Sequence, residues 1–270
     1  MSAATSSPSR SVIATRLRAA GCVFAEDEAQ LLISSAGTSA DLAAMVERRA
    51  AGLPLEHVLG WADFCGIRIA VDPGVFVPRR RTEFLVREAA ALVGPHAVVV
   101  DLCCGSGAVG AALVAAVDLV EVYAVDVDPA AVRCARRNLD AAGGRVYAGD
   151  LYQPLPASLR GSVDVVVANT PYVPTEEIDL MPIEARVHEP RVALDGGADG
   201  LEVQRRVAEE AALWLAPGGY LLVETSTRQA TQTVETFARN GLSPRVATAE
   251  DLNATVVIGT RPAQPSFRVV

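Results

Sequence analysis

From Ala97 onward, short β-branched runs alternate with alanine-rich stretches, and this alternation restricts the fold more than any other feature of the chain. The runs Ala97–Asp101, Glu121–Asp126, Arg145–Ala148, Val163–Ala168 and Tyr220–Glu224 read as strands. Helices are predicted over Ala108–Ala116, Pro129–Ala142, Gly200–Leu215 and Gln229–Asn240. Hydrophobic strands separated by helices specify a parallel sheet covered on both faces. Two late runs, Pro244–Thr248 and Thr255–Thr260, have no helix between them, which predicts an antiparallel pair at one edge.

Ahead of the sheet, Ser11–Ala20, Ala25–Ser35 and Ala40–Ala51 show helical apolar spacing, with Thr38 or Ser39 placed to cap the third. Gly60, Gly66 and Pro73-Gly74 punctuate Val58–Val77, which reads as a β-hairpin. Thr82 is positioned to cap a helix over Glu83–Leu92. The expected organisation is a helical domain over residues 1–56, a hairpin linker over 57–81 and an α/β domain over 82–270.

Composition narrows the function classes. Half of the 270 residues are hydrophobic and 21% are charged, the balance of a soluble globular protein. No apolar run reaches the ~18 residues of a membrane span. Met1–Arg10 carries no apolar signal core, so a cytoplasmic protein without membrane attachment is expected. Five cysteines without C-x-x-C spacing read as reduced thiols. A net charge of −8 argues against stable binding to nucleic acid over a broad surface. Every basic side chain is Arg, a bias that carries no functional signal. His57, His96 and His188 are scattered and read as surface or structural, and no metal site is expected.

The first chemistry-bearing segment is Asp101-Leu-Cys-Cys-Gly105-Ser-Gly107, where the first sheet strand turns into its helix. Ligands of such sheets sit at the carboxyl ends of the strands, and glycine there lets backbone amides approach them. Gly105, Gly107 and Gly110 formally satisfy the dinucleotide pattern G-x-G-x-x-G. Asp101 weighs against a pyrophosphate, because a carboxylate there suits the ammonium of a methionine-like group instead. Asp126, ending the next strand, is spaced to bond ribose hydroxyls of either cofactor. Asp150, with Leu151, follows the third strand and would lie near an adenine, or Asp150 is a turn residue. Asp128 before Pro129 reads as a helix cap.

The second segment is Asn169-Thr170-Pro171-Tyr172, directly after Val163–Ala168. An amide nitrogen is a poor nucleophile, since its lone pair is delocalised into the carbonyl. On alkylation it loses planarity and gains positive charge, so a site needs fixed acceptors for both N–H groups in a water-poor pocket. The Asn169 side-chain oxygen can take one hydrogen and the Thr170 carbonyl the other, while Pro171 holds the turn. Tyr172 can stack on the planar group. No strong general base is required, because the proton becomes acidic once nitrogen is alkylated. Alone, the tetrapeptide is equally an ordinary proline turn.

These segments together resemble the protein-glutamine N-methyltransferase family that acts on peptide-chain release factors. Gly52-Leu-Pro54, Gly60 with Phe64, Val77-Pro78-Arg79 and Thr82-Glu83 resemble its hairpin and following helix. Glu189-Pro190, Ala193-Leu194, Gly196-Gly197 and Asp199-Gly200-Leu201 resemble the loop after its tetrapeptide. The resemblance implies a seven-stranded, Rossmann-like methyltransferase sheet with a small N-terminal helical domain that helps recognise a protein substrate. It implies S-adenosyl-L-methionine as donor, held by Asp101, Cys103, Cys104, Gly105, Ser106, Gly107, Asp126, Asp150, Leu151 and Asn169. It also implies a glutamine side chain as acceptor, at Asn169, Thr170, Pro171 and Tyr172.

The chain departs from the family at several points. The family's tetrapeptide is Asn-Pro-Pro-Tyr, with Thr170 here at the second position. Cys103-Cys104 replace Gly-Thr and read as packing thiols, not nucleophiles. Arg80 and Arg81 replace Pro-Glu, and Asn253-Ala-Thr follows Asp251-Leu252 where Gly and Arg are common. A paralogue with its own substrate is the implied reading. Amino-methylation of a nucleic-acid base or of a small metabolite stands as the alternative, and a nonenzymatic donor-binding protein is the reading from another class.

Overall fold

The computed structural model describes residues 9–263. Most of the Ser/Ala-rich stretch Met1–Arg10, read above for a signal core, lies outside them, as do the outermost ends of the expected domains.

The chain opens with α1 (Arg10–Ala19), α2 (Ala25–Ser35), α3 (Ser39–Ala50) and a short α4 (Leu55–Leu59). Ile13, Leu17, Ala29, Leu32, Leu42 and Val46 form their shared core. Thr38 caps α3, its side-chain oxygen accepting from the Asp41 amide at 3.1 Å. Helix α4 was not foreseen; Pro54 starts it and Gly60 stops it in the left-handed region. The hairpin follows as β1 (Trp61–Phe64) paired antiparallel with β2 (Ile67–Ala70).

A single 3-10 turn, Arg80–Thr82, leads into α5 (Glu83–Ala90). Thr82 is no N-cap: its backbone is already helical and its side chain makes no cap bond. It is buried instead, and turns toward the sheet.

The α/β part runs β3 (Val98–Leu102), α6 (Ala108–Ala116), β4 (Glu121–Asp126), α7 (Pro129–Leu139), β5 (Arg145–Ala148) and β6 (Val163–Ala168). It continues through α8 (Ile183–His188), α9 (Glu202–Trp214), β7 (Leu215–Thr225), α10 (Ala230–Arg239), β8 (Ser243–Ala249) and β9 (Ala254–Thr260). The seven strands lie in the order β5-β4-β3-β6-β7-β9-β8, with β9 antiparallel to both its neighbours. This is the expected architecture, with β9 inserted between β7 and the edge strand β8. Val99, Val100, Val165 and Val167 are wholly buried, as helices on both faces require.

Among the boundaries that differ from expectation, three have a visible cause. Helix α7 stops at Leu139 and a 3-10 turn carries the chain to Gly143, whose φ of +80° ends the helical path. Helix α9 ends at Trp214 because the buried Leu215 already pairs with Val163. Strand β7 therefore begins five residues before Tyr220, with a register shift against β6 where Pro217 and two glycines pass. Among the described residues, no helix is long and apolar enough to cross a membrane.

Candidate active site

The winding of the sheet reverses between β3 and β6, and a crevice opens at that point outside the carboxyl ends of the strands. A cavity of about 740 Å³ fills it. Leu102 is in register with Ala168, so Cys103 and Asn169 leave the sheet side by side. The two segments singled out from sequence thus share one cavity wall.

On the β3 side the loop is tightly braced. The Cys104 amide donates to the Val125 carbonyl at 3.1 Å, and the Gly107 amide to the Cys104 carbonyl at 2.7 Å. Gly107 has a φ of +75°, and a β-carbon there would lie 3.1 Å from the Ala135 backbone. Asp101 is 2% exposed and accepts the Gly110 amide at 3.0 Å. Burial pushes its carboxyl up to about 7, offset in part by that amide and reinforced by Asp126 nearby. Asp126 accepts the Gly105 amide at 2.8 Å and the Asp128 amide at 2.9 Å, and burial raises its pKa too. Burial likewise pushes up the thiols of Cys103 and Cys104, which keeps them protonated and inert. Ser106 is buried and its carbonyl accepts from Asn138 at 2.8 Å; Asn138 also spans Ala70 of β2. Asn138 thereby ties hairpin to loop, and no sequence pattern marked it.

Asp150 and Leu151 also line the cavity. Asp150 is ion-paired with Arg206 of α9 at 2.5 Å, a partner the sequence did not suggest. Leu151 is buried with a φ of +47°, a conformation that persists in a branched residue only where its surroundings enforce it. Asp128 caps α7 through the Ala130 amide at 2.8 Å, as expected.

On the β6 side, Asn169 Nδ2 donates to the Thr82 hydroxyl at 3.3 Å. Thr170 is 1% exposed, and its hydroxyl has no partner among the described residues. The Tyr172 hydroxyl accepts from Arg81 Nη2, and the guanidinium carbon lies 5.5 Å from the ring centroid. Burial first, then Glu224, push the Tyr172 phenol up to about 12, against the pull of Arg81 and Arg79.

The downstream loop clamps this segment from behind. The Val173 amide donates to the Leu194 carbonyl at 3.1 Å, and the Gly196 amide returns to the Val173 carbonyl at 2.9 Å. Gln229, the N-cap residue of α10, donates to the carbonyls of Tyr172 and Asp199, both at 3.0 Å, while Ser226 fixes its amide oxygen at 2.6 Å. Gly200, at a φ of +75°, packs directly on the Tyr172 carbonyl. The glycines of this run are thus required by close backbone approach. None of the three histidines joins the site's polar network; His57 is buried, with Nε2 2.8 Å from the Val75 carbonyl oxygen.

Residues 66–199 match the family described as methyltransferase small domain. The chain is 41% identical to the release factor glutamine methyltransferase of Mycolicibacterium smegmatis over 210 residues, covering 77% of this chain and 74% of that one. It is 38% identical over 203 residues to the 4-amino-L-phenylalanine/4-methylamino-L-phenylalanine methyltransferase of Streptomyces pristinaespiralis, covering 73% and 69%. Among solved structures, a methyltransferase from Pyrococcus furiosus superposes with a TM-score of 0.56 at 19% identity, over 73% of this chain and 90% of that one. That last likeness concerns the fold.

Proposed function

The chain belongs to the release factor glutamine methyltransferase family, and on that premise we propose that it methylates a glutamine side-chain amide in a protein substrate such as a peptide-chain release factor. The observation that carries this reading is the adjacency of Asn169–Tyr172 and the Asp101–Gly107 loop along one cavity at the switch point.

The residues present suit S-adenosyl-L-methionine. Asp101 is a buried carboxylate that no cation among the described residues offsets, and an ammonium group would complete it. Asp126 keeps free lone pairs beyond its two amide contacts, enough for ribose hydroxyls. Cys103, Cys104, Gly105, Ser106 and Gly107 contribute a backbone-lined turn, while Asp150 and Leu151 border the adenine end. When bound, the cofactor supplies an electrophilic methyl group.

The chain's own residues prepare the acceptor. Asn169 offers its oxygen to one N–H of the incoming amide, and the Thr170 carbonyl takes the other. Fixing both hydrogens before reaction turns the nitrogen lone pair toward the donor. Pro171 and the clamp from Gly196 and Gln229 keep these acceptors from relaxing. Tyr172 shields the plane of the amide from water. Pro54 ahead of α4, Phe64 of β1 and Phe76 line the cavity, and we assign residues 1–81 to substrate recognition and 82–270 to catalysis.

Methyl transfer from labelled donor to a purified release factor, followed by peptide mass spectrometry, tests this reading. A single methyl on glutamine is expected; label in nucleic acid or in no protein would overturn it. A second reading, the aromatic amine of a free amino acid, is favoured by the Streptomyces relative and by Thr170 in place of proline. Label appearing in a small molecule from a cell lysate would decide for it.

A further inference from the structure

Charge is distributed unevenly over the cavity wall. The β3 and β4 side presents Asp101 and Asp126, while Asp150 is paired with Arg206 and Glu184 with Arg49. The wall beside Tyr172 carries Arg81 instead, with Arg79 two residues earlier in the chain. Each guanidinium is held by a carboxylate that solvent does not reach. Arg81 Nε donates to Glu224 Oε1 at 3.1 Å, and the Arg81 side chain is 43% exposed where that of Glu224 is 2%. Arg79 spans both oxygens of the buried Glu189 through Nη2, and its own side chain is a third exposed.

Counting donors shows what is left over. Arg81 spends Nε on Glu224 and one Nη2 hydrogen on the Tyr172 hydroxyl, so its Nη1 has no partner among the described residues. Arg79 spends Nη2 on Glu189, which leaves Nε and Nη1 without one. A guanidinium carries donors only, so these positions can take nothing but an acceptor. Arg81 is fixed at two points against Tyr172 and Glu224, and a ligand therefore meets a fork already in place. Phe64, Phe76 and Val192 line the same cavity, and their apolar surface strengthens a charge contact made there. An ion pair that served stability alone would need neither the open side of the guanidinium nor its place on a cavity wall.

We propose that Arg81, supported by Arg79, forms an anion subsite that receives a carboxylate carried by the acceptor. The acceptor is then selected by an acidic group near the nitrogen it offers to Asn169. The proposal rests on the reading of Asn169–Tyr172 as the acceptor end of the cavity. Asp101 and Asp126 repel the same carboxylate from the other side, so the acceptor enters in one orientation. The carboxylate belongs either to a free amino acid or to an acidic side chain flanking a glutamine in a protein, and both present the same two oxygens to the fork.

Calorimetry in the presence of S-adenosyl-L-homocysteine tests the subsite without requiring turnover. One pair of probes is L-phenylalanine and L-phenylalaninamide. The other is a glutamine peptide with aspartate beside the glutamine and the same peptide with asparagine there. In wild type the carboxylate member of one pair should bind about tenfold tighter than its neutral partner, and the pair that shows this identifies the source. In Arg81→Gln the preference should fall below about twofold, with affinity for S-adenosyl-L-homocysteine kept within about twofold. Arg81→Lys keeps a cation beside Glu224 and carries the test should Arg81→Gln fail to fold. Its preference should drop at least about threefold, because an ammonium offers no planar fork. No preference in wild type for either carboxylate would overturn the proposal, as would a preference undiminished in both variants. If wild type methylates no release-factor glutamine, that assignment falls, while the binding preferences still decide the subsite.

Discussion

Glu189 holds Arg79 with both carboxylate oxygens, at 2.7 and 2.6 Å from Nη2, and takes the Val77 backbone amide at 3.1 Å. The pair joins the segment after the tetrapeptide to the segment before α5, and Arg79 leads straight into the turn bearing Arg81 and Thr82. Glu189 is almost fully buried, so removing its carboxylate leaves a guanidinium and an amide without partners. Glu189→Ala should destabilise the protein by about 3 kcal/mol, and Glu189→Gln by roughly half that, in urea denaturation. Arg79 is a third exposed, which keeps the figure below that of a fully enclosed pair. A loss under about 0.5 kcal/mol for the alanine variant would show the contact to be solvent-screened.

Gly196 is a crowded point in the clamp, pressed against backbone on two sides. A β-carbon there would stand 2.7 Å from the Pro171 carbonyl and 2.7 Å from the Gly200 carbonyl. Neither backbone can yield without moving the tetrapeptide. Gly196→Ala should therefore cut turnover on the order of 100-fold through misplacement of the acceptor groups, with donor affinity preserved. A parallel loss of donor affinity would indicate a wider collapse of the cavity.

The strands of the sheet and both cavity segments are legible in the sequence for a common reason. Buried parallel strands must be nearly all apolar, and polar residues at their carboxyl ends then stand out. Asp101, Asp126 and Asn169 announce themselves in this way. Glu224 does too in principle, but a Glu at a strand end has many uses, and only the register with β6 puts it beside Asn169. Thr82 looks like a helix cap because Thr before an acidic, apolar stretch usually is one. The tertiary contact with Asn169 overrides that local preference. Arg206 within α9 and Gln229 just before α10 carry no site signal in their spacing, and only packing brings them to Asp150 and Tyr172. The start of β7 is hidden by Pro217-Gly218-Gly219, which reads as a turn and is held in the sheet by the backbone of Arg261, just past the end of β9.

Thr170 offers a stability test independent of catalysis. Its buried hydroxyl has no partner among the described residues, so the group forfeits its hydration for nothing. Thr170→Val keeps the shape and removes the orphan. The variant should be more stable by about 1 kcal/mol, measured from the denaturation midpoint at unchanged m-value. Equal or lower stability would mean that the hydroxyl is satisfied by water or by a ligand.

The proposed contact between Asp101 and the donor's ammonium should make donor affinity depend on pH. The folded-state pKa of Asp101 is raised to about 7, so below that pH the empty site carries a proton that the unfolded chain, near 3.8, has released. The folded state then binds the extra proton, and the empty protein should lose stability as pH rises from about 4 to about 7, at up to about 1.4 kcal/mol per pH unit. Binding runs the opposite way. The ammonium of S-adenosyl-L-methionine requires the carboxylate, so affinity should rise with pH through about 7 and level off above it. Below 7 each pH unit should weaken binding about tenfold until the bound-state pKa is reached. Asp101→Asn should bind weakly at every pH and flatten the profile. Calorimetry between pH 5.5 and 8.5, spanning about three units around the titration, checks both curves. A wild-type profile as flat as that of the variant would remove Asp101 from the ammonium site.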